Sequence, residues 1–138
     1  MSNLNIAQRR SDSVVILDLQ GKIRLGEANL ELHQALRNLV ESGEKKILLN
    51  LAEVSNIDSS GLGELIAGYA TLQKNGGDLK LLSLTERVSE IMMITKLLTV
   101  FEVFDDETQA IESFTDSPQI IGFRQTTGEA ETDTEASA

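Results

Sequence analysis

Asp58, Ser59 and Ser60 stand side by side in NIDSSGLGEL (residues 56–65), with Gly61 and Gly63 close behind. Three oxygen-bearing side chains in a row offer two kinds of chemistry. Any of them can accept a backbone N–H at the start of a helix. A serine hydroxyl can also act as a nucleophile or carry a phosphate. The nucleophile reading fails on spacing, because a strand-to-helix elbow needs G-x-S-x-G and the residue two before Ser60 is Asp58. Gly61-x-Gly63 is no dinucleotide fingerprint either, since the third glycine would fall on Ile66. No Gly-Lys-Ser/Thr run exists for a phosphate loop. There is no cysteine, and His33 is the sole histidine, so neither a zinc ligand set nor a serine triad can be assembled. His33 is expected at a surface or boundary. No catalytic residue, metal site or cofactor is expected, and the chain reads as a binding protein rather than an enzyme.

A cap explains one oxygen acceptor at the start of a helix. It does not explain two glycines in the first turn, each of which costs roughly 0.5–1 kcal/mol against alanine inside a helix. Close approach of another chain to bare backbone at Gly61 and Gly63 would offset that cost. The position fits such a role, because α/β sheets bind their partners where strands end and helices begin. A serine here also suits phosphate. The free N–H groups and the helix dipole accommodate the new charge, so the fold survives modification. A partner covering the surface would not tolerate it. About −1.5 to −2 charges would arrive beside Asp58 and Glu64. An unpaired buried charge costs several kcal/mol, which is about a thousandfold in affinity.

Strands and helices alternate around this stretch. Residues 3–10 and 13–21 read as strands, the second almost wholly apolar from Val14 to Leu19 and ended by Gly21. A short turn near Ser11–Ser13 would pair them antiparallel. Leu32, Leu36, Leu39 and Val40 recur at helical spacing before Gly43. A short strand is expected over 45–51, then a helix whose inner face is Leu62, Leu65, Ile66, Tyr69 and Leu72. A strand at 78–84 leads to a helix over 85–98, with Val88, Ile91, Met92 and either Thr95 or Ile94 inward. A last strand is expected at 100–104, and a short helix at 105–114 with three acids in its first turn. The order β-β-α-β-α-β-α-β-α implies an α/β domain with a mixed, mostly parallel sheet flanked by helices.

Length and charge set the frame. The 138 residues make one domain over about 1–115, with a core of normal size. Residues 116–138 form an acidic tail. From Gln125 it holds no large apolar residue, so most of it is expected to be disordered, while IIGF (120–123) is apolar enough to dock. The net charge of −10 argues against nucleic acid and against an anionic membrane surface. Without an apolar leader region or any run of 18 apolar residues, a cytoplasmic protein is expected.

The run from LLNLAEVSNIDSSGLGELIAGYATLQKNGG to ITKLLTVFEVFDDETQAIESF resembles a STAS domain of the anti-sigma factor antagonist type, over roughly residues 4–114. Its most specific part is IDSSGLG followed by a helix, a Gly-Gly pair and a strand. The resemblance implies a single STAS-like domain that binds an anti-sigma factor serving also as a serine kinase, and so releases a sigma factor. It implies that the kinase switches the antagonist off by phosphorylating Ser59 and that a phosphatase restores it. Asp58, Ser60, Gly61 and Gly63 match the motif around that serine. The implied partner surface includes Leu62–Glu64 and the loop at about Gly21–Asn29, where GKIRLGEAN departs from the usual pattern. Lys22, Arg24 and Leu25 give this surface a chemistry of its own. The alternative is a structural STAS subunit of a larger signalling or transporter assembly, with no phosphate switch.

Overall fold

The computed structural model describes residues 4–114. Strand β1 (Leu4–Ser11) turns at Asp12, which takes a left-handed φ of 54°, into β2 (Val14–Ile23). Then come α1 (Glu27–Glu41), β3 (Lys46–Ile57), α2 (Ser59–Lys74), β4 (Asp78–Leu82) and α3 (Glu86–Ile94). A 3₁₀ turn (Leu97–Thr99), β5 (Val103–Phe104) and α4 (Glu107–Glu112) complete the order. The five strands lie side by side in chain order. β1 is antiparallel to β2 and every other pair is parallel. The mixed, mostly parallel sheet and its helices are those that the alternation implied.

Because each crossover steps one strand in the same direction, α1, α2 and α3 fall on one face of the sheet. Leu32 and Leu36 of α1, Leu65 and Leu72 of α2, and Val88 and Met92 of α3 close there over Val15, Leu17, Ile47, Leu49 and Leu79. Each such fully buried side chain contributes about 1.5–3 kcal/mol. The other face carries a smaller cluster, where Ala110 and Phe114 cover Val14, Ile16, Leu48 and Leu82.

α4 is tied down by charge as well as by apolar contact. The Arg9 guanidinium on β1 donates to Asp18 on β2 at 2.6 and 3.1 Å, and to Glu107 on α4 at 2.9 and 2.6 Å. Asp18 also accepts from Asn50 at 2.8 Å. Lys80, only 5% exposed, donates to the Ser113 carbonyl and hydroxyl at 3.0 and 2.9 Å and pairs with Glu102 at 2.7 Å. Its ammonium lies 4.7 Å from the centre of the Phe114 ring, so burying this charge is compensated on several sides.

Several boundaries differ from the sequence expectation. Gly21 does not end β2. It takes a φ of 118° next to a register shift, and the strand continues to Ile23. β3 runs six residues beyond Leu51. Only Lys46–Asn50 pairs with β4, and the later half has β2 alone as neighbour. With one edge unpaired and Ala52, Glu53 and Ser55 exposed, it lacks the apolar run of a fully buried strand. The third helix stops at Ile94 rather than 98. Lys96 adopts φ 65°, and Thr95 turns its hydroxyl onto the carbonyls of Ile91 and Met92. Ile94 is 75% exposed and Thr95 is exposed too, so neither of the two alternatives is an inward residue. The last strand is cut to Val103–Phe104, and Asp106 caps the final helix at Gln109 N–H rather than lying within its first turn. The tail expectations for residues 116–138 lie outside the described residues.

Candidate functional site

The late half of β3 delivers Asp58 to the start of α2 in an extended conformation (φ −103°, ψ −176°). That backbone is required of an N-cap, and of the three candidate oxygens it is Asp58 that caps. Its Oδ1 accepts from Gly61 N–H at 3.0 Å. Its Oδ2 accepts from Leu25 N–H in the loop after β2, also at 3.0 Å. Its own N–H donates to the Ile23 carbonyl at 3.1 Å. The Asp58 carboxyl is held below its ordinary pKa, first by the Leu25 N–H. Partial burial opposes this, and the N–H groups of Gly61 and Ser60 and the charge of Arg24 add to the lowering.

Gly61 is fixed by the same junction. A Cβ there would stand 2.6 Å from the Ile23 carbonyl oxygen and 2.7 Å from Ile57 Cγ1. The close approach that its missing side chain permits is therefore internal, made by the end of β2, and not by another chain as the sequence suggested. Gly63 is different: a Cβ there would meet nothing within 4 Å, and the residue is exposed.

Ser59 opens α2 and is exposed. Along the same helix face lie Gly63, Ile66, Ala67 and Ala70, all exposed and none charged. Among the described residues, no side chain hydrogen-bonds the Ser59 hydroxyl. An uncovered hydroxyl at a helix N-terminus is suited to receive a group from another enzyme. Nor do the described residues bring three His, Asp or Glu side chains together as a metal site, and no helix among them is long and apolar enough to cross a membrane.

A STAS domain family model matches residues 5–110. The chain belongs to the STAS domain family. An anti-sigma-B factor antagonist of Bacillus subtilis is 30% identical over 101 residues, which cover 73% of this chain and 91% of that protein. An anti-sigma factor antagonist structure from Mycobacterium paratuberculosis has a TM-score of 0.71 at 20% identity, covering 82% of this chain and 95% of that one. The Bacillus cell fate determinant SpoIIAA in its phosphorylated form has a TM-score of 0.64 at 18% identity, covering 80% and 100%. These two structural likenesses are of fold.

Within this STAS domain, the residues expected at the site divide into three groups. Arg24, Leu25, Asp58, Ser59, Ser60 and Gly63 gather at one corner, with Leu25 78% exposed beside the helix start. Gly61 and Leu62 are buried. They shape the corner from within and offer no side-chain surface. Glu64 turns towards α1, where its Oε1 lies 2.6 Å from His33 Nδ1. Sequence reading missed that pair, because 31 residues separate its members and neither shares a motif with the other. It also missed the bond from Leu25 N–H to Asp58, since a backbone donor leaves no trace in residue type.

Proposed function

We propose that this STAS domain is an anti-sigma factor antagonist that docks the Ser59 corner onto an anti-sigma factor with serine kinase activity, and that phosphate on Ser59 switches the docking off. The observation that carries the reading is the exposed Ser59 at the head of an uncharged helix face, next to the exposed Leu25 and Arg24. An exposed leucine beside a helix face of exposed Gly63, Ile66, Ala67 and Ala70 makes an uncharged, partly apolar surface of the kind that suits a protein partner. A hydroxyl at the helix N-terminus can take phosphate without breaking the fold that holds it. The name of the Bacillus subtilis relative supports the output, and SpoIIAA supports a phosphorylated state in the same fold. A phosphatase acting on phospho-Ser59 would return the domain to its binding state. The domain acts in the cytoplasm on this reading, without catalysis, metal or cofactor of its own.

Two measurements test the proposal. Tandem mass spectrometry on the protein from its own cells is expected to find phosphate on Ser59 at a level that changes with growth condition. Immobilised Ser59→Ala is expected to retain a serine kinase from a native extract, and Ser59→Asp to lose it by about a hundredfold or more, since one misplaced charge costs several kcal/mol. Equal recovery on both variants, with no phosphate in any condition, would favour a structural subunit instead.

A further inference from the structure

Asp58 makes one hydrogen bond more than a helix cap needs. Oδ1 serves Gly61, and Oδ2 reaches across to Leu25 N–H at 3.0 Å. The loop after β2 therefore hangs from the carboxylate that opens α2. Leu25 itself is 78% exposed, so core packing does not fix it. Gly26 bends the chain with φ 111° where a Cβ would meet nothing within 4 Å, so the loop has room to move. What fastens it is the Asp58 bond at Leu25 and, at its two ends, the bonds from Asn29 N–H to the Arg24 carbonyl and from Leu30 N–H to the Gly26 carbonyl, both at 3.1 Å. Of these only the Asp58 bond holds Leu25 itself to the head of α2.

Ser59 follows Asp58 directly in the chain. A phosphate on Ser59 and the Asp58 carboxylate would be two anions competing for the same N-terminal N–H groups. The phosphate carries more charge and more acceptor oxygens. It would take the helix donors from Oδ1, and its like charge would push the adjoining carboxylate away from Leu25 N–H on Oδ2. We propose that Asp58 is a positioning residue that holds the Arg24–Gly26 loop so as to present Leu25 to a protein partner, and that phosphate on Ser59 releases this loop through Asp58. The inference rests on the reading of Ser59 as the modified residue. It adds a second effect to direct charge repulsion, since the modified domain also loses the fixed placement of its most exposed apolar side chain.

Asp58→Asn separates the two bonds. Asparagine caps a helix as well as aspartate does, and its oxygen can still accept from Gly61. Its amide nitrogen is a donor and cannot accept from Leu25 N–H. Amide hydrogen exchange, read residue by residue by NMR on the full chain, is expected to quicken at Leu25 by about tenfold in Asp58→Asn, with α2 unchanged. The native chain carrying phosphoserine at position 59 is expected to show a similar gain at Leu25. Unchanged Leu25 exchange in the phosphoserine protein overturns the proposal, and so does unchanged exchange in Asp58→Asn. Should Asp58→Asn fail to fold, the phosphoserine comparison decides alone. Because exchange is measured without a partner, its failure is distinct from that of the functional reading: lost kinase retention with an undisturbed Leu25 amide removes this inference and leaves the switch standing.

Discussion

Two corners of the molecule are fastened through carboxylates, and they are fastened differently. At the head of α2, Asp58 accepts only from backbone N–H groups, those of Leu25 and Gly61. At α4, Asp18 and Glu107 share the forked guanidinium of Arg9. Backbone donors are placed by the path of the chain, so the first corner depends on a single short carboxylate side chain and on no side-chain donor. The carboxylates of the second meet one long side chain, 43% exposed, in water, beside the apolar contacts that also hold α4. The first corner, rigid at Gly61 where the Ile23 carbonyl packs against bare backbone, lies at the candidate docking site, and the second lies away from it.

The largest expected effect falls on the rigid corner. Gly61→Ala forces a Cβ against the Ile23 carbonyl, which is backbone and cannot swing aside, so a loss of about 3 kcal/mol is expected in urea denaturation. A loss below the scatter of the measurement would mean that β2 and α2 are less tightly joined than described. Arg9→Gln tests the other corner. Solvent screening limits its cost to about 1 kcal/mol, and high salt should shrink even that.

Acid acts in the same direction on both corners, and at the second Arg9 is its cause. The carboxyl groups of Asp18 and Glu107 are both held below their ordinary values, mainly by hydrogen bonds from Arg9. A lowered folded-state pKa means that the unfolded chain binds the proton more tightly. The stabilisation is therefore complete above the ordinary carboxylate range, about pH 4, and fades as the pH falls through the folded values. Arg9→Gln should flatten this acid limb of the stability profile, and an identical profile in the variant would remove Arg9 as its cause. The smallest effect closes the comparison. Gly63→Ala has open space around it and should gain about 0.5–1 kcal/mol, because the glycine serves no internal contact. If Gly63→Ala also weakens kinase retention, the bare backbone at that position is being used by a partner.

Much of this was legible in the residues. Buried strands announced themselves through Val14–Leu19 and Ile47–Leu49, and the helices through their leucine spacing, because burial on one or both faces leaves a periodic imprint. The cap was also visible, though which of three oxygens made it was not, since all three types cap well. What stayed hidden depends on neighbours distant in the chain. Gly61 signalled a close approach, but only the fold reveals that Ile23 is what approaches. Ile94 fitted the inward stripe until Lys96 broke the helix early. Arg9 and Glu107, 98 residues apart, carried no signal at all, because a surface arginine and a surface glutamate look alike whether paired or not.

That last pair has a consequence for how the chain is made. The strands are laid down in the order in which they are synthesised, so each new strand can join an edge already formed. Arg9, in the first strand, waits for Glu107, in the last described helix. A chain still emerging, or one cut short before residue 107, leaves the guanidinium unmatched and the apolar patch at Val14, Ile16 and Leu48 uncovered. Closure of that face is therefore the last step among the described elements, and every earlier stage presents to solvent the same three apolar side chains that Ala110 and Phe114 later cover.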